Sequence, residues 1–238
     1  MFYYYGYDWT YLVFVLPFII ISLIASANVN STFNKYANQL SRRNITGADA
    51  AKRVLFANGI TNVRIERITG NLTDHFDPKA NVIRLSDSVY SSTSTAAIGV
   101  ACHEAGHAVQ HATAYGPIKL RGAIFPVANI GSKLAIPLIL LGVLFGAMGY
   151  FSDTIINIGI ICFAFSFLFQ VVTLPVEFNA SRRALQAIES GDLLTSEELK
   201  GARKTLTAAA LTYVAAAAAS LAQLLRLIVL FGGGRRRD

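Results

Sequence analysis

The sequence predicts a mainly α-helical protein of the α+β class, with three or four membrane-spanning helices and a small antiparallel sheet. Apolar residues make up 53% of its 238 residues, more than an ordinary soluble domain contains. Several uncharged apolar segments approach the about 20 residues that a helix needs to cross a bilayer. Two short segments alternate apolar and polar residues, as half-buried strands do. We therefore expect an integral membrane protein and exclude an ordinary soluble class.

Two uncharged segments predict a transmembrane hairpin over residues 133–176. Residues 134–151 and 155–176 contain no charged side chain for 18 and 22 positions, and only three residues separate them. The chain therefore leaves and returns to the same side of the membrane. Two prolines lie in the preceding segment, residues 112–132, and predict a helix that is interrupted near the membrane surface.

Residues 1–27 are predicted to form an N-terminal membrane anchor. Residues 12–27 are apolar and uncharged, and residues 2–9 before them are rich in aromatic side chains, which favour the membrane–water interface. The small residues at 25–27 imitate a signal-peptide cleavage site. A signal peptide begins with basic residues, however, and the first ten residues contain no Lys or Arg, so we expect the helix to be retained.

The distribution of Lys and Arg predicts the orientation in the cell membrane. Eleven of the 21 lie in residues 28–132, whereas the first ten residues and the turn at 152–154 contain none. The positive-inside rule then places residues 28–132 and 177–204 in the cytoplasm, where we expect them to form one folded unit. The net charge of +7 therefore reflects topology. Because the basic residues are dispersed and belong to no RNA- or DNA-binding motif, we expect no nucleic-acid partner.

A C-terminal membrane or membrane-associated helix is predicted over residues 205–231. This segment is Ala-rich and only weakly apolar, and Arg226 interrupts it. If the helix crosses the bilayer, the arginines at 235–237 lie outside, against the positive-inside rule. A helix that does not fully cross therefore stays an alternative.

The cytoplasmic part is predicted to contain a small sheet followed by a helix. Residues 63–68 and 81–86 alternate apolar and polar side chains and are interpreted as strands, whereas residues 71–77 are interpreted as a turn-rich loop. A helix is predicted over residues 95–111. The simplest arrangement packs the sheet beside this helix.

The most informative pattern is the pentapeptide His-Glu-Ala-Gly-His at residues 103–107. On an α-helix, His103 and His107 lie about one turn apart on the same face, so both imidazoles can bind one metal ion. Glu104 places a carboxylate beside the first of them. The neighbouring residues are small or apolar, as in a helix buried behind a metal site. The pattern is typical of zinc proteases and predicts Zn²⁺ as the cofactor.

A third protein ligand is required, because catalytic zinc is held by three side chains and a water. His111 lies on the same helix but roughly 12 Å from His103 along the axis, too far to share the ion. The side chain of Cys102 points about 100° away from His103 around the helix. Glu177 ends a long apolar segment, begins a predicted amphipathic helix, and is returned towards His107 by the hairpin. It is therefore the predicted third ligand; the alternative is a glutamate that the helix dipole favours.

An HExxH helix, a membrane hairpin and a Glu-x-x-Ala-x-Arg helix together resemble the membrane-embedded gluzincins, which include the HtpX-type heat-shock proteases and the prenyl-protein proteases. Four segments resemble more closely the YugP-type neutral zinc metallopeptidases, namely residues 74–78, 81–90, 103–112 and 177–184. The resemblance covers most of the chain and implies a membrane-bound zinc endopeptidase. Gluzincins often carry an Asp that orients a ligand histidine at the position where this chain has Ser181. Either the Ser181 hydroxyl supplies a weaker hydrogen bond, or another group orients the ring.

These residues predict hydrolysis of peptide bonds. Zinc on the three ligands would lower the pKa of a bound water and polarise the peptide carbonyl, while Glu104 acts as the general base and then protonates the leaving amine. By the resemblance, the strand before the helix pairs with an extended or unfolded peptide segment. The substrate-binding residues so implied are Asn81, Val82, Ile83 and Arg84. The candidates for stabilising the oxyanion are Arg182, His75, Tyr115 and Tyr213, which the sequence does not rank.

Two other functions stay as alternatives. An intramembrane site-2-type protease would carry its active helix within the lipid, yet a Ser- and Thr-rich segment at residues 91–95 leads into this one. A non-catalytic membrane scaffold would keep zinc for structure, and Glu104 distinguishes it, because hydrolysis needs that carboxylate and zinc binding does not. The expected partners are a peptide or protein substrate and the lipid bilayer, and a homo-oligomer stays open.

Overall fold

Helices dominate the fold. The computed structural model describes residues 9–147 and 152–232. A short π-helical segment, Tyr11–Val15, leads into the first α-helix. The helices are α1 (Leu16–Ala37), α2 (Gly47–Ala57), α3 (Asp87–Tyr90), α4 (Thr95–Ala112), α5 (Gly116–Ala147), α6 (Asp153–Ser190) and α7 (Ser196–Phe231), and the strands are β1 (Arg64–Ile68), β2 (His75–Asp77) and β3 (Val82–Ser86). The predicted α+β fold, mainly helical, is confirmed.

Four helices are long and apolar enough to cross a membrane. They are Tyr11–Ala37, Gly116–Gly146, Asp153–Ser190 and Ser196–Phe231. The prediction of three or four membrane helices is therefore confirmed, and the C-terminal helix qualifies with the others. Two predicted features, the aromatic interfacial residues at 2–7 and the arginines at 235–237, lie outside the described residues.

Helix α5 runs from Gly116 to Ala147 without interruption. The interruption predicted within residues 112–132 is a short turn at residues 113–115, between α4 and α5, whereas the break predicted at the prolines is wrong. Pro117 lies in the first turn, where a backbone N–H would have no partner within the helix. Pro126 and Pro137 lie inside the helix. Apolar membrane helices tolerate such prolines because neighbouring groups satisfy the carbonyls that each proline leaves unbonded.

Helix α6 is also continuous, from Asp153 to Ser190. The predicted new helix beginning at Glu177 is therefore wrong, because Glu177 lies inside α6, just after Pro175. A proline removes one hydrogen bond from the helical ladder and kinks a long helix more readily than it ends one. One helix therefore carries both a membrane-length apolar segment and the carboxylate predicted as a ligand.

Helices α5 and α6 pack closely through small residues. A Cβ atom added at Gly131 would lie 2.6 Å from the carbonyl oxygen of Cys162, and one added at Gly159 would lie 2.9 Å from that of Ala135. Carbon and oxygen atoms do not approach so closely, so glycine is what lets the two backbones meet. The two apolar segments that the sequence pairs as a hairpin are thus in direct contact.

Contacts divide the chain into two compact units. The apolar unit comprises residues up to 24, residues 120–173 and residues from 213 onward, and the sheet unit comprises residues 25–119 and 174–212. The sheet unit contains the three strands, α4 and the second half of α6. The functional boundaries predicted from the sequence stay predictions.

The sheet is mixed, with the strand order β1-β3-β2. Strand β1 pairs with β3 in parallel, Arg64 opposite Val82 and Ile68 opposite Ser86. Strand β2 pairs with β3 antiparallel, His75 opposite Arg84. The predicted antiparallel pairing of residues 63–68 with 81–86 is therefore wrong. After β1 the chain crosses to the opposite edge of the sheet and runs back as β2. It then turns and forms β3 between the two, so β1 and β3 point in the same direction.

Strand β2 lies in the segment interpreted from the sequence as a loop. It has three residues, and its side chains are exposed or half-buried. A strand this short shows no alternation, and it forms because the neighbouring β3 supplies hydrogen-bond partners. Strand β3 is far more buried, with Val82, Ile83 and Leu85 fully inaccessible.

Helix α4 is the centre of the sheet unit. Ser94 caps its N-terminus, accepting a hydrogen bond from the backbone N–H of Ala97 at 3.2 Å. The core around it combines side chains from several elements, including Ile83, Leu85, Ile98, Ala101, Ala105, Ile188 and Leu206. Small residues on α4 bring other helices close: a Cβ atom added at Gly99 would lie 3.2 Å from that of Ala202 in α7.

Candidate metal centre

The two histidines of the pentapeptide lie on one face of α4, as the helical spacing predicts. The ring centroids of His103 and His107 are 4.7 Å apart, with the ring planes at 84°. Their side chains are 13% and 11% exposed, so both rings are largely shielded from water. Glu104, on the same helix, is also buried.

Glu177 of α6 completes a cluster with the two histidines. Its Oε2 atom lies 3.3 Å from Nε2 of His103 and 3.5 Å from Nε2 of His107. One ligand atom from each of the three side chains lies within 4.8 Å of the others. Two imidazoles and one carboxylate form the donor set of a family of catalytic zinc sites that keep a fourth position for water. The chemistry of these donors therefore fits a zinc ion.

The outer nitrogen of each imidazole has its own hydrogen-bond partner. Nδ1 of His103 lies 3.1 Å from the hydroxyl of Ser181, and Nδ1 of His107 lies 3.0 Å from Oε1 of Gln110. The two Nε2 atoms are thereby left to face Glu177. The structure brings Ser181 to His103, where the sequence anticipated a weak orienting bond.

Gln110 is a residue that sequence reasoning missed. It lies three positions after His107 on α4 and is fully buried. Residues three apart on a helix share a face. A polar residue three positions after a predicted ligand histidine was the signal available in the sequence.

Carboxylates near His107 favour its protonated form in the absence of metal. Burial lowers the pKa of His107, but the hydrogen bond and charge of Glu177, the charge of Glu104 and the Gln110 contact outweigh burial and raise the pKa. A metal ion on His107 would compete with this proton, so its binding would release a proton and strengthen as the pH rises.

Asp74 is a half-buried carboxylate whose charge interacts with that of Glu104. It accepts hydrogen bonds from the backbone N–H of Ser86 at 2.7 Å and from the Ser86 hydroxyl. Burial raises the pKa of Asp74, the bonds from Ser86 partly oppose the rise, and the negative charge of Glu104 adds to it. The Ser86 bonds hold the end of β3 to the segment that leads into β2.

The candidate oxyanion residues occupy different surroundings. His75 is exposed on β2, with Nδ1 2.9 Å from the carbonyl oxygen of Thr73. Arg182 is exposed on α6. The ring of Tyr115 lies 6.0 Å from the guanidinium of Arg183. Tyr213 belongs to the apolar unit.

The strand predicted to bind substrate is the central strand of the sheet. Backbone groups of β3 pair with β1 on one side and with β2 on the other. Val82 and Ile83 are buried, Arg84 forms an ion pair with Asp77, and the Asn81 side chain donates to the carbonyl of Asn62. The predicted pairing of a substrate with this strand is therefore wrong, because both of its edges are already occupied.

Strand β2 lies at the edge of the sheet, beside the end of α4. The ring of Phe76 packs edge-on against His111 of α4, with centroids 5.9 Å apart. Cys102 is not a member of the cluster that the described residues form around Glu177. It is fully buried in the core, and burial raises the pKa of its thiol.

Gly106 allows α4 and α6 to approach closely enough for the cluster to form. A Cβ atom added there would lie 2.8 Å from the carbonyl oxygen of Ala180 in α6. We expect Gly106→Ala to force the helices apart and to destabilise the protein by about 1–3 kcal/mol, despite the better helix propensity of Ala. The melting temperature in detergent should fall by about 3–10 °C.

Gly116→Ala is the matched control, because an added Cβ atom at that helical position meets no atom within 4 Å. It should leave the melting temperature of the protein unchanged or slightly raised. Equal melting temperatures for the two variants would contradict the close-contact role of Gly106.

Comparisons with known proteins agree with the chemistry of this cluster. The model of a family described as "Putative neutral zinc metallopeptidase" matches residues 11–232. A protein named "Putative membrane protease YugP", from Bacillus subtilis (strain 168), is 47% identical over 195 residues, which cover 82% of this chain and 84% of the relative. No solved structure gives a significant match. These findings confirm the resemblance seen in the sequence, and the chain belongs to this family of neutral zinc metallopeptidases.

Proposed function

We propose that this protein is a membrane-bound, zinc-dependent endopeptidase. One observation carries the proposal: two imidazole Nε2 atoms converge on one carboxylate oxygen, 3.3 and 3.5 Å away, on the helix that also carries Glu104. His103, His107 and Glu177 would hold the ion. Bound zinc would supply a Lewis acid that polarises the peptide carbonyl and makes a water molecule more acidic.

The other side chains of the site would transfer the proton and position the histidine rings. Glu104 takes a proton from the attacking water and delivers it to the leaving amine, the role that a positioned carboxylate plays in general acid–base catalysis. Burial of Glu104 keeps the proton transfer away from bulk solvent. Ser181 and Gln110 hold the two rings from their outer nitrogens.

The substrate would be an extended or unfolded segment of a peptide or protein. Strand β2 supports this, because it is an edge strand beside α4, and an edge strand can add one more strand by backbone hydrogen bonding. Such pairing selects an extended backbone and not a particular side chain. The substrate edge is therefore proposed at His75–Asp77 and not at residues 81–84.

The site would face the cytoplasm. The basic residues of segments 28–132 and 177–204 support this orientation under the positive-inside rule. Helix α4 is not among the four candidate membrane spans found in the described residues, which favours a membrane-anchored site over one buried in lipid. The name of the relative from Bacillus subtilis also contains the words membrane protease.

The experiment is metal analysis and proteolysis on the purified full chain in detergent. We expect one zinc ion per chain, cleavage of a reduced and unfolded model protein, loss of cleavage after chelation, and its recovery when zinc is restored. Internal cleavage sites, identified by mass spectrometry, would distinguish an endopeptidase from an exopeptidase. A chain that holds stoichiometric zinc and cleaves no unfolded substrate would favour a structural zinc site instead.

A further inference from the structure

Gln110 is a buried polar side chain whose hydrogen bonds connect His107 to α6. It is fully inaccessible on α4, between Val109 and His111. Its Oε1 atom lies 3.0 Å from Nδ1 of His107, and its Nε2 atom lies 2.8 Å from the carbonyl oxygen of Val176 and 3.0 Å from Oδ1 of Asn179. A buried amide is stable only when its polar atoms are satisfied, and this one is satisfied by α4 and α6 together.

The partners of Gln110 determine which way its amide points. Arg183 has donors and no acceptor, so its Nε–H donates to Oδ1 of Asn179 at 2.8 Å. The same oxygen therefore accepts from the Gln110 amide, and the carbonyl oxygen of Val176 also only accepts. The NH₂ group of Gln110 is thus directed to α6, and its Oε1 atom is directed to His107.

The orientation of the Gln110 amide also determines which nitrogen of His107 carries a hydrogen. Because Oε1 of Gln110 only accepts, Nδ1 of His107 must carry a hydrogen. In the neutral ring, which is the form that binds a metal ion, Nε2 then carries the lone pair on the side of Glu177. His103 has no equivalent constraint. Its partner is the Ser181 hydroxyl, which can donate or accept.

We propose that Gln110 is a positioning residue that holds His107 in the zinc-binding tautomer, and that Arg183 and Asn179 fix its orientation. The inference rests on the proposed zinc site. The His107 ring is thus fixed by a directed amide, while the His103 ring contacts a rotatable hydroxyl. An outer partner of a ligand histidine typically changes metal affinity by about 10- to 100-fold when it is removed.

The first test measures zinc affinity by competition with a chromophoric chelator, using metal-depleted full chain in detergent. Gln110→Leu keeps similar volume but offers no acceptor, so the dissociation constant for zinc should rise about 10- to 100-fold. Thr95→Val is the control for loss of a buried hydrogen bond, since Thr95 is fully buried and bonds Tyr36 and Gln39 away from the cluster. It should bind zinc as the parent does.

A second pair of variants tests the orientation directly. Asn179→Asp keeps an oxygen that accepts from both Arg183 and Gln110, and should bind zinc within about threefold of the parent. Asn179→Leu removes that oxygen and should weaken zinc binding by about 10-fold. The visible spectrum of the cobalt-substituted protein provides a readout that general destabilisation does not move: it should change in Gln110→Leu and Asn179→Leu and stay unchanged in Thr95→Val.

The outcomes separate this inference from the proposed function. A parent chain that binds no zinc overturns both. If the parent binds zinc, and Gln110→Leu binds zinc as tightly as the parent or as Thr95→Val, the role of Gln110 alone is overturned. If Gln110→Leu does not fold, the two Asn179 variants provide the test. Equal zinc affinities in Asn179→Asp and Asn179→Leu would overturn the proposal. An affinity that is preserved in Asn179→Asp and lost in Asn179→Leu would support it.

Discussion

Glu104→Gln is expected to abolish peptide hydrolysis while zinc remains stoichiometric. The amide has nearly the shape of the carboxylate but cannot take a proton from water, and a positioned general base contributes about 10²- to 10⁴-fold to the rate. Glu104 is not a member of the ligand cluster, so the zinc content should not fall. The substitution also removes the negative charge at residue 104 that repels Asp74, so the fold should be no less stable. The measurement is kcat on an unfolded substrate, with zinc determined on the same sample.

Glu189→Gln is the matched control for this result. Glu189 is an exposed residue of α6, beyond the ligand cluster. The control should retain the kcat of the parent and its full zinc content. Turnover in Glu104→Gln equal to that of the parent would remove the basis for a glutamate general base, and loss of zinc would give Glu104 a role as a ligand instead.

Glu177→Ala should lower zinc affinity by more than the about 100-fold upper range seen for outer partners of a ligand, because it removes a donor from the ion itself. Glu177 is buried, and its carboxylate oxygen is the atom on which both imidazoles converge. Without it two nitrogens remain, fewer than the three protein ligands of catalytic zinc sites. The zinc that remains after dialysis against a mild chelator measures the effect.

Glu177→Gln separates loss of the ligand charge from loss of side-chain volume. It should bind zinc more weakly than the parent, because the neutral amide oxygen is a poorer donor, while filling the same space. Glu189→Ala should keep all of its zinc under the same dialysis. Full zinc retention in Glu177→Ala would show that another group provides the third protein ligand.

The local part of the site was predictable from the sequence. The fixed geometry of an α-helix makes the separation of His103 and His107 readable from spacing alone, and the structure places the two rings 4.7 Å apart. Glu177 could be brought to them because a hairpin constrains where the chain returns. The four membrane-length helices follow from composition in the same way.

The strand order, the continuity of α6 and the role of Gln110 depend on tertiary contacts, which the sequence indicates only weakly. Strand β2 is three residues long and forms only because β3 lies beside it. The strand order, and the pairing of both edges of β3, could therefore not be predicted from the sequence. The end of the apolar segment at residue 176 suggested a helix boundary, whereas α6 continues through it. The role of Gln110 depends on Val176 and Asn179, which are distant in the sequence and adjacent in the fold.

Sequence separation also has a consequence for the time at which the metal site forms during synthesis. The contacts from Gln110 to Val176 and from Ser181 to His103 bridge 66 and 78 residues. Ribosomes add roughly 5–20 residues per second, so the pentapeptide is made several seconds before the residues that complete its surroundings. A nascent chain that ends within the hairpin contains both histidines but neither Glu177 nor Ser181. The proposed ligand set is therefore complete only after the second half of α6 has been made.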